Sequence, residues 1–257
     1  MKFRRLGNSP ITVSEIGYGT WGLGGDSYGP IDSRQARALL ELAISQGITF
    51  FDTADVYGNG RSERLIGSVI RNHREKLVVA TKGGCLPDHA SGKEYDLSKA
   101  YLTTALHRSL RRLKTDYIDV YQLHSPDIDA IRKFNAIETL EEFKSSGKIR
   151  EFGISLRSPH SGIEIIQEFR PPIIQVNFNL LDQRVIDIGL FELVRRFQIG
   201  VIARTPLVFG FLTGRLTPGK ISDEKDHRTK WSLEQQEKWS SANMSFNFLD
   251  SRRTKSE

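Results

Sequence analysis

Strand-like and helix-like stretches alternate along almost the whole chain, and this restricts the fold more than any other feature. Runs such as VVAT (78–81) and IIQVNF (173–178) are short, continuous and largely apolar, the pattern of strands in a parallel sheet covered on both faces. MKFRRLG and ITVSEIG read as a short hairpin around Asn8-Ser9-Pro10, within residues 1–17, and EIGYGTWGLG (15–24) as the first strand of the main sheet. Asp32 or Ser33 then caps the helix SRQARALLELAISQ, whose Ala, Leu and Ile recur at helical spacing and which stops at Gly47. Further strands are expected near 49, 77, 117, 149, 173 and 200, and helices over 62–73, 98–113, 129–146, 161–169 and 186–197. These intervals suit β/α units. A doubly wound sheet would alternate similarly, but it normally sets G-x-G-x-x-G directly before a helix. GTWGLGGDSYG (19–29) is not that pattern, so its glycines read as loop punctuation.

Three of the strands end in ionisable residues. TFFDTADVYG (49–58), LVVATKGG (77–84) and YIDVYQLHSP (117–126) deliver Asp52, Tyr57, Lys82 and His124. In a parallel β/α barrel, side chains distant in sequence converge at the carboxyl ends of the strands, where the chemistry sits. A phenol is a poor acid, but a neighbouring cation favours its phenolate, and a carboxylate beside the cation keeps it charged and positioned. The expectation is therefore that Lys82, held by Asp52, lowers the pKa of Tyr57.

Composition removes other classes. The chain has 257 residues, 38% of them hydrophobic, enough for one domain over 1–257 with one large core. The formal charge of +6 comes with basic runs RSLRRLK (108–114) and VRRF (194–197), which read as solvated helix faces; a nucleic-acid surface would need a clustered stripe with stacking aromatics. Cys85 is the only cysteine, and no apolar stretch is long enough for a signal or a membrane span, so a cytoplasmic protein with no membrane or nucleic-acid partner is expected. Cys85 reads as a passive thiol, the histidines show no metal-ligand spacing, and Asn243-Met-Ser245 carries no weight as a glycosylation sequon.

The motifs Gly19-Thr20-Trp21-Gly22, Phe51 to Gly58, Thr81-Lys82, Leu123-His124, Gly153-Ile154-Ser155, Gln175-Val176-Asn177 and Pro206 through Arg215 occur in this order over nearly the whole chain. Together they resemble the aldo-keto reductases, with Asp52 to Gly58 the most specific part. The resemblance implies a (β/α)8 TIM-type barrel that binds NADP(H), with NAD(H) not excluded, and transfers a hydride to or from a small-molecule aldehyde, ketone or alcohol. It implies Tyr57 as general acid/base, Lys82 and Asp52 tuning it, and His124 bonding the carbonyl oxygen. The cofactor positions implied are Gly19, Thr20, Trp21 and Asp52 on the first two strands, Ser155 and Gln175 for the carboxamide, and Arg204 and Thr205 at the seventh strand. Pro206, Leu207, Gly210, Leu212, Gly214 and Arg215 fall on the pyrophosphate loop.

Departures from the family pattern fall at Leu156, at Arg204 and after the seventh strand. Leu156 stands where an asparagine is frequent, so one amide contact is absent or comes from Arg157. Arg204 stands where an aromatic ring often stacks on the nicotinamide, and a planar guanidinium can also stack. Trp21 and Tyr28 either wall the substrate pocket or cap the barrel. After the seventh strand come PGKISDEKDHRTKW, a capped helix in SLEQQEKWSSANMSFNFLDS and an irregular tail over about 240–257; no eighth strand and helix are recognisable. The unpaired edges of the first and seventh strands invite homo-oligomers, and weak cofactor binding with little NADP(H)/NAD(H) discrimination is expected. The alternative reading is a catalytically silent regulatory or binding subunit of the same descent.

Overall fold

The computed structural model describes residues 1–71, 73–86, 94–214, 216–221 and 223–242. Strands β1 (Phe3–Arg5) and β2 (Thr12–Ser14) form the expected antiparallel hairpin. The strands β3 (Gly17–Gly19), β4 (Phe50–Asp52), β5 (Val78–Gly83), β6 (Ile118–His124), β7 (Ile149–Ser155), β8 (Ile173–Asn177) and β9 (Gly200–Arg204) make one seven-stranded sheet in chain order. Every neighbouring pair is parallel.

Helices occupy the crossovers. In α1 (Ser33–Ser45), the Asp32 carboxylate accepts the backbone N–H groups of Arg34 and Gln35, answering donors that the first turn leaves orphaned. Two more are α2 (Arg61–Ile70) and α3 (Lys99–Leu113). The stretch 129–146 is two helices rather than one, α4 (Ile128–Lys133) and α5 (Ala136–Ser145), because Asn135 turns left-handed at φ 47. Next comes α6 (Pro159–Phe169), opened by a Ser158–Ser161 capping box. The stretch 186–197 likewise divides into α7 (Arg184–Asp187) and α8 (Leu190–Phe197) around Gly189 at φ 72. A final helix, α9 (Leu233–Ala242), follows two short 3-10 turns.

Period-two alternation sorts each strand between two cores. Phe51, Val79, Tyr121, Leu123, Phe152, Ile154, Ile174 and Val176 face the helices in the larger cluster. Phe50, Val78, Ala80, Val120, Ile173 and Ile202 face inward and pack on Leu6, Ile11 and Val13 of the hairpin. The hairpin thus plugs the amino-terminal end of the sheet. Its turn lies so close to β9 that a Cβ on Gly7, at φ 55, would collide with the backbone of Gly200. Continuing the same inward rows toward the carboxyl ends brings up Asp52, Lys82, Gln122, His124, Gln175 and Arg204.

Among the described residues no strand pairs with the outer edge of β3 or β9. The segment after β9 instead crosses back to the first β/α loop. The backbone N–H of His227 donates to the carbonyl of Ser27 at 2.7 Å, and Asp226 bridges to Tyr28.

Candidate active site

A cavity of about 1090 Å³ opens on the side of the sheet between β3 and β9, from the hairpin floor up to the carboxyl ends. Of the residues expected at the site, Gly19, Thr20, Trp21, Asp52, Tyr57, His124, Gln175, Arg204, Thr205, Pro206, Leu207 and Gly210 all line it. Lys82 lies just behind this wall, 1% exposed. Its ammonium donates to Asp52 Oδ2 at 2.7 Å, to the Thr53 carbonyl at 2.8 Å and to the Tyr57 hydroxyl at 3.4 Å. An unpaired buried ammonium would be costly; here three oxygens surround it. The Tyr57 and His124 rings meet edge to face with centroids 5.9 Å apart.

Asp52 is fixed by more than Lys82. Gln175 donates to its Oδ1 at 2.9 Å and Gln122 at 3.3 Å. Gln122 was not singled out from the sequence, although it sits two residues from both Val120 and His124 in the inward row of β6. Ser155 donates to Gln175 Oε1 at 3.3 Å, so the two polar groups expected to hold an amide are joined to each other and, through Gln175, to Asp52. Behind the loop, Thr20 and Thr53 are tied together through Ser62.

The electrostatics differ from the expectation in one respect. The Tyr57 phenol lies above its ordinary pKa, because burial pushes it up by more than the Lys82 ammonium pulls it down, and the Asp52 carboxylate adds to the rise. A neighbouring cation was legible in the sequence; the extent of burial was not. Burial alone would depress Lys82, but Asp52 and Tyr57 reverse this and hold its ammonium above the usual value. His124 is pushed down to about 3 by burial and by the positive charges of Lys82 and Arg204. It is therefore a neutral imidazole at physiological pH.

Several expected contacts fall elsewhere. Leu156 points its side chain away from the cavity, against Gly162 of α6, and only its carbonyl faces Arg204, 3.4 Å from Nη2. Arg157 does not replace the missing asparagine: it pairs with Asp127 at 3.0 Å and Glu94 at 2.5 Å on the surface. Ser155 and Leu212 are buried outside the cavity wall, and Gly214 ends the 3-10 turn in a left-handed conformation. Arg215 lies outside the described residues, as do Asn243-Met-Ser245 and most of the 240–257 tail. Trp21 and Tyr28 each make two kinds of contact. They line the cavity, and they also pack against His227 at centroid distances of 4.6 and 4.9 Å.

The site holds polar atoms with no protein partner: His124 Nδ1, Arg204 Nε and Gln122 Oε1 are all buried and unbonded. Such atoms cost free energy unless something answers them. His124 and Arg204 also line the cavity, whereas Gln122 lies behind its wall.

Residues 15–247 match the Aldo/keto reductase family. The chain belongs to that family. An uncharacterized oxidoreductase, YqkF of Bacillus subtilis, is 40% identical over 215 residues, covering 83% of this chain and 67% of that protein. Aldo-keto reductase AKR11C1 from Bacillus halodurans, in its holo form, superposes with a TM-score of 0.74 at 37% identity, over 85% of this chain and 71% of that one. An aldo-keto reductase from Klebsiella pneumoniae in complex with NADPH superposes with a TM-score of 0.67 at 31% identity, over 85% of this chain and 71% of that one. The chain spans about two thirds of the length of the curated relatives it matches. Aldo-keto reductases use NADP(H), and the seven-stranded curled sheet is the greater part of their barrel. Among the described residues no helix is long and apolar enough to cross a membrane, and no cluster of metal-ligating side chains occurs.

Proposed function

We propose that this chain is an NADP(H)-dependent oxidoreductase acting on an aldehyde or ketone, with Tyr57 as general acid and, in the reverse direction, as general base. The observation that carries the reading is Lys82, wholly buried, with its ammonium shared between Asp52 and Tyr57 at the wall of a cavity that also contains a neutral His124. When bound, NADPH supplies a hydride to the carbonyl carbon. The chain then has to neutralise the charge that develops on oxygen. Tyr57 donates its hydroxyl proton, and the neutral imidazole of His124 donates a hydrogen bond to the same oxygen. Lys82 lowers the cost of the tyrosinate left behind, and Asp52, clamped by Gln122 and Gln175, keeps Lys82 aimed at it.

Residues for the cofactor follow from what the cavity presents. Arg204 lines the cavity, and its planar guanidinium would stack on the nicotinamide. Gln175, which lines the cavity and accepts a hydrogen bond from Ser155 behind it, offers the neighbouring polar group. Thr205 to Leu207 and Gly210 form the lip for the pyrophosphate. Trp21, Tyr28 and Phe209 make an aromatic wall for the carbonyl substrate.

Titration of the chain with NADPH and NADH, followed by tryptophan fluorescence because Trp21 lines the cavity, tests the reading. Saturable quenching by NADPH together with consumption of NADPH in the presence of an aldehyde is expected. Binding without turnover over a broad aldehyde and ketone panel would favour a silent subunit, and absence of both would defeat the proposal.

A further inference from the structure

A second concavity lies outside the sheet, in the helix layer. Its volume is about 370 Å³, and its lining is Arg64 of α2 with Arg108, Arg111, Arg112 and Lys114 at the end of α3. All five lining side chains are cationic. Arg112 is half-buried and paired: its Nε lies 2.5 Å from Glu63 Oε2, and its Nη2 donates to Ser109. Arg64 reaches only a backbone carbonyl, that of Asn59, at 3.2 Å. Among the described residues the exposed side chains of Arg108, Arg111 and Lys114 make no hydrogen bond or ion pair. Of the five lining cations, only Arg112 is paired with a carboxylate among the described residues.

Helix electrostatics account for part of this arrangement and leave the rest. Cations at the carboxyl end of α3 are favourable, but the macrodipole there amounts to only about half a negative charge. Arg64 sits in the first turn of α2, where the same effect is unfavourable. Lys114 is left-handed at φ 55, a conformation glycine adopts without strain, yet the chain places a fifth cation there. What relieves such a cluster is an anion. Guanidinium groups bind phosphate oxygens through paired, charge-assisted hydrogen bonds. The cavity's volume lies in the range of small-molecule sites, and its lining contains no aromatic ring on which a base would stack.

We propose that this concavity binds a small anion bearing two or more phosphate groups, separately from the cofactor cleft. Its walls also touch the loop that carries Tyr57. Arg64 holds the Asn59 carbonyl, and a Cβ on Gly60, at φ 76, would collide with Arg112 Cδ. Occupancy would therefore steady residues 58–60 from outside the barrel.

Calorimetric titration of the full chain with inorganic pyrophosphate, at constant ionic strength, tests this. One saturable site is expected, weakened about ten-fold or more in the Arg108→Ala/Arg111→Ala double variant and weakened in Lys114→Ala, but unchanged in Arg195→Ala, an exposed cation on α8. Hydrogen exchange with pyrophosphate present is expected to protect segments 58–64 and 108–114. Absence of binding, equal loss in Arg195→Ala, unaltered affinity in the double variant, or protection confined to 204–214 would each overturn the proposal.

Discussion

Strand β6 carries a polar cluster at each end, and the two are built differently. At its amino-terminal end Asp119 is completely buried, yet every demand on it is met: Arg74 and Arg150 pair with its two oxygens at 2.8 Å each, and the backbone N–H of Val79 donates to it at 2.9 Å. At the carboxyl end Asp52 and Lys82 are as tightly held, but around them His124, Gln122 and Arg204 keep unbonded buried atoms. The first cluster is finished without a ligand. The second leaves three buried polar atoms without a protein partner. In this barrel the difference between stability and chemistry is therefore read from which polar atoms lack partners, since burial and charge are similar at both ends.

The largest test of this contrast is Tyr57→Phe. It removes one hydroxyl from the cavity wall and is expected to lower kcat by about 10²- to 10⁴-fold with the melting temperature and NADPH affinity close to wild type. A Phe variant that keeps most of its turnover would remove Tyr57 from the acid's role. At the opposite end, Asp119→Ala leaves Arg74 and Arg150 without their acid and should cost about 3–5 kcal/mol of stability in urea unfolding, while cofactor affinity in the folded fraction stays constant. A large loss of affinity without loss of stability would dissolve the distinction between the two ends.

Asp55 sharpens the comparison further. It lies two residues before Tyr57, with Oδ1 buried and unpartnered. Burial, reinforced by Glu63, raises its carboxyl to about 7 from an ordinary 3.8. Because the folded state then holds a proton that the unfolded state has lost, stability contributed by this group falls as pH rises from about 4 to 7 and is level above that. Asp55→Asn removes this dependence. The stability difference between wild type and variant is expected to change by about 2–4 kcal/mol across that window, measured by denaturant titration at several pH values; a difference independent of pH would show that Asp55 is ionised throughout. His124 titrates in both proteins and cancels. Its own contribution has the opposite sign, with stability lost as pH falls from 6.5 towards 3.

The smallest expected effect belongs to Arg204→Met. Removing one of the two cations that depress His124 should move the imidazole's titration upward from about 3, observable by NMR of the ring protons, with the fold unchanged. An unmoved titration would mean that burial and Lys82 alone set it.

Much of this was legible in the sequence because strand periodicity decides which side chains share an interior. Asp52, Lys82 and His124 could be grouped before any coordinates, and the same parity would have added Gln122. Residues beyond a strand's end obey no such parity, so Arg157, adjacent in sequence to the site, turned out to serve a surface ion-pair cluster. The break between α4 and α5 was hidden because it depends on a left-handed asparagine flanked by ordinary helix formers. The direction of the Tyr57 shift was hidden for another reason: the sequence names its neighbours but not how much water they exclude.

The oxygens around Lys82 also bear on the direction of a hydrogen atom. An ammonium has three N–H bonds, and here each has an acceptor: Asp52, the Thr53 carbonyl and Tyr57. The tyrosine oxygen therefore receives a hydrogen bond from behind, and its own O–H cannot be directed back at a nitrogen with no lone pair to offer. The proposed role of Tyr57 as acid requires this O–H to face the cavity that the residue lines. A neutral lysine would reverse this polarity and turn the phenol inward, so the ion pair with Asp52 orients a proton as well as holding a charge.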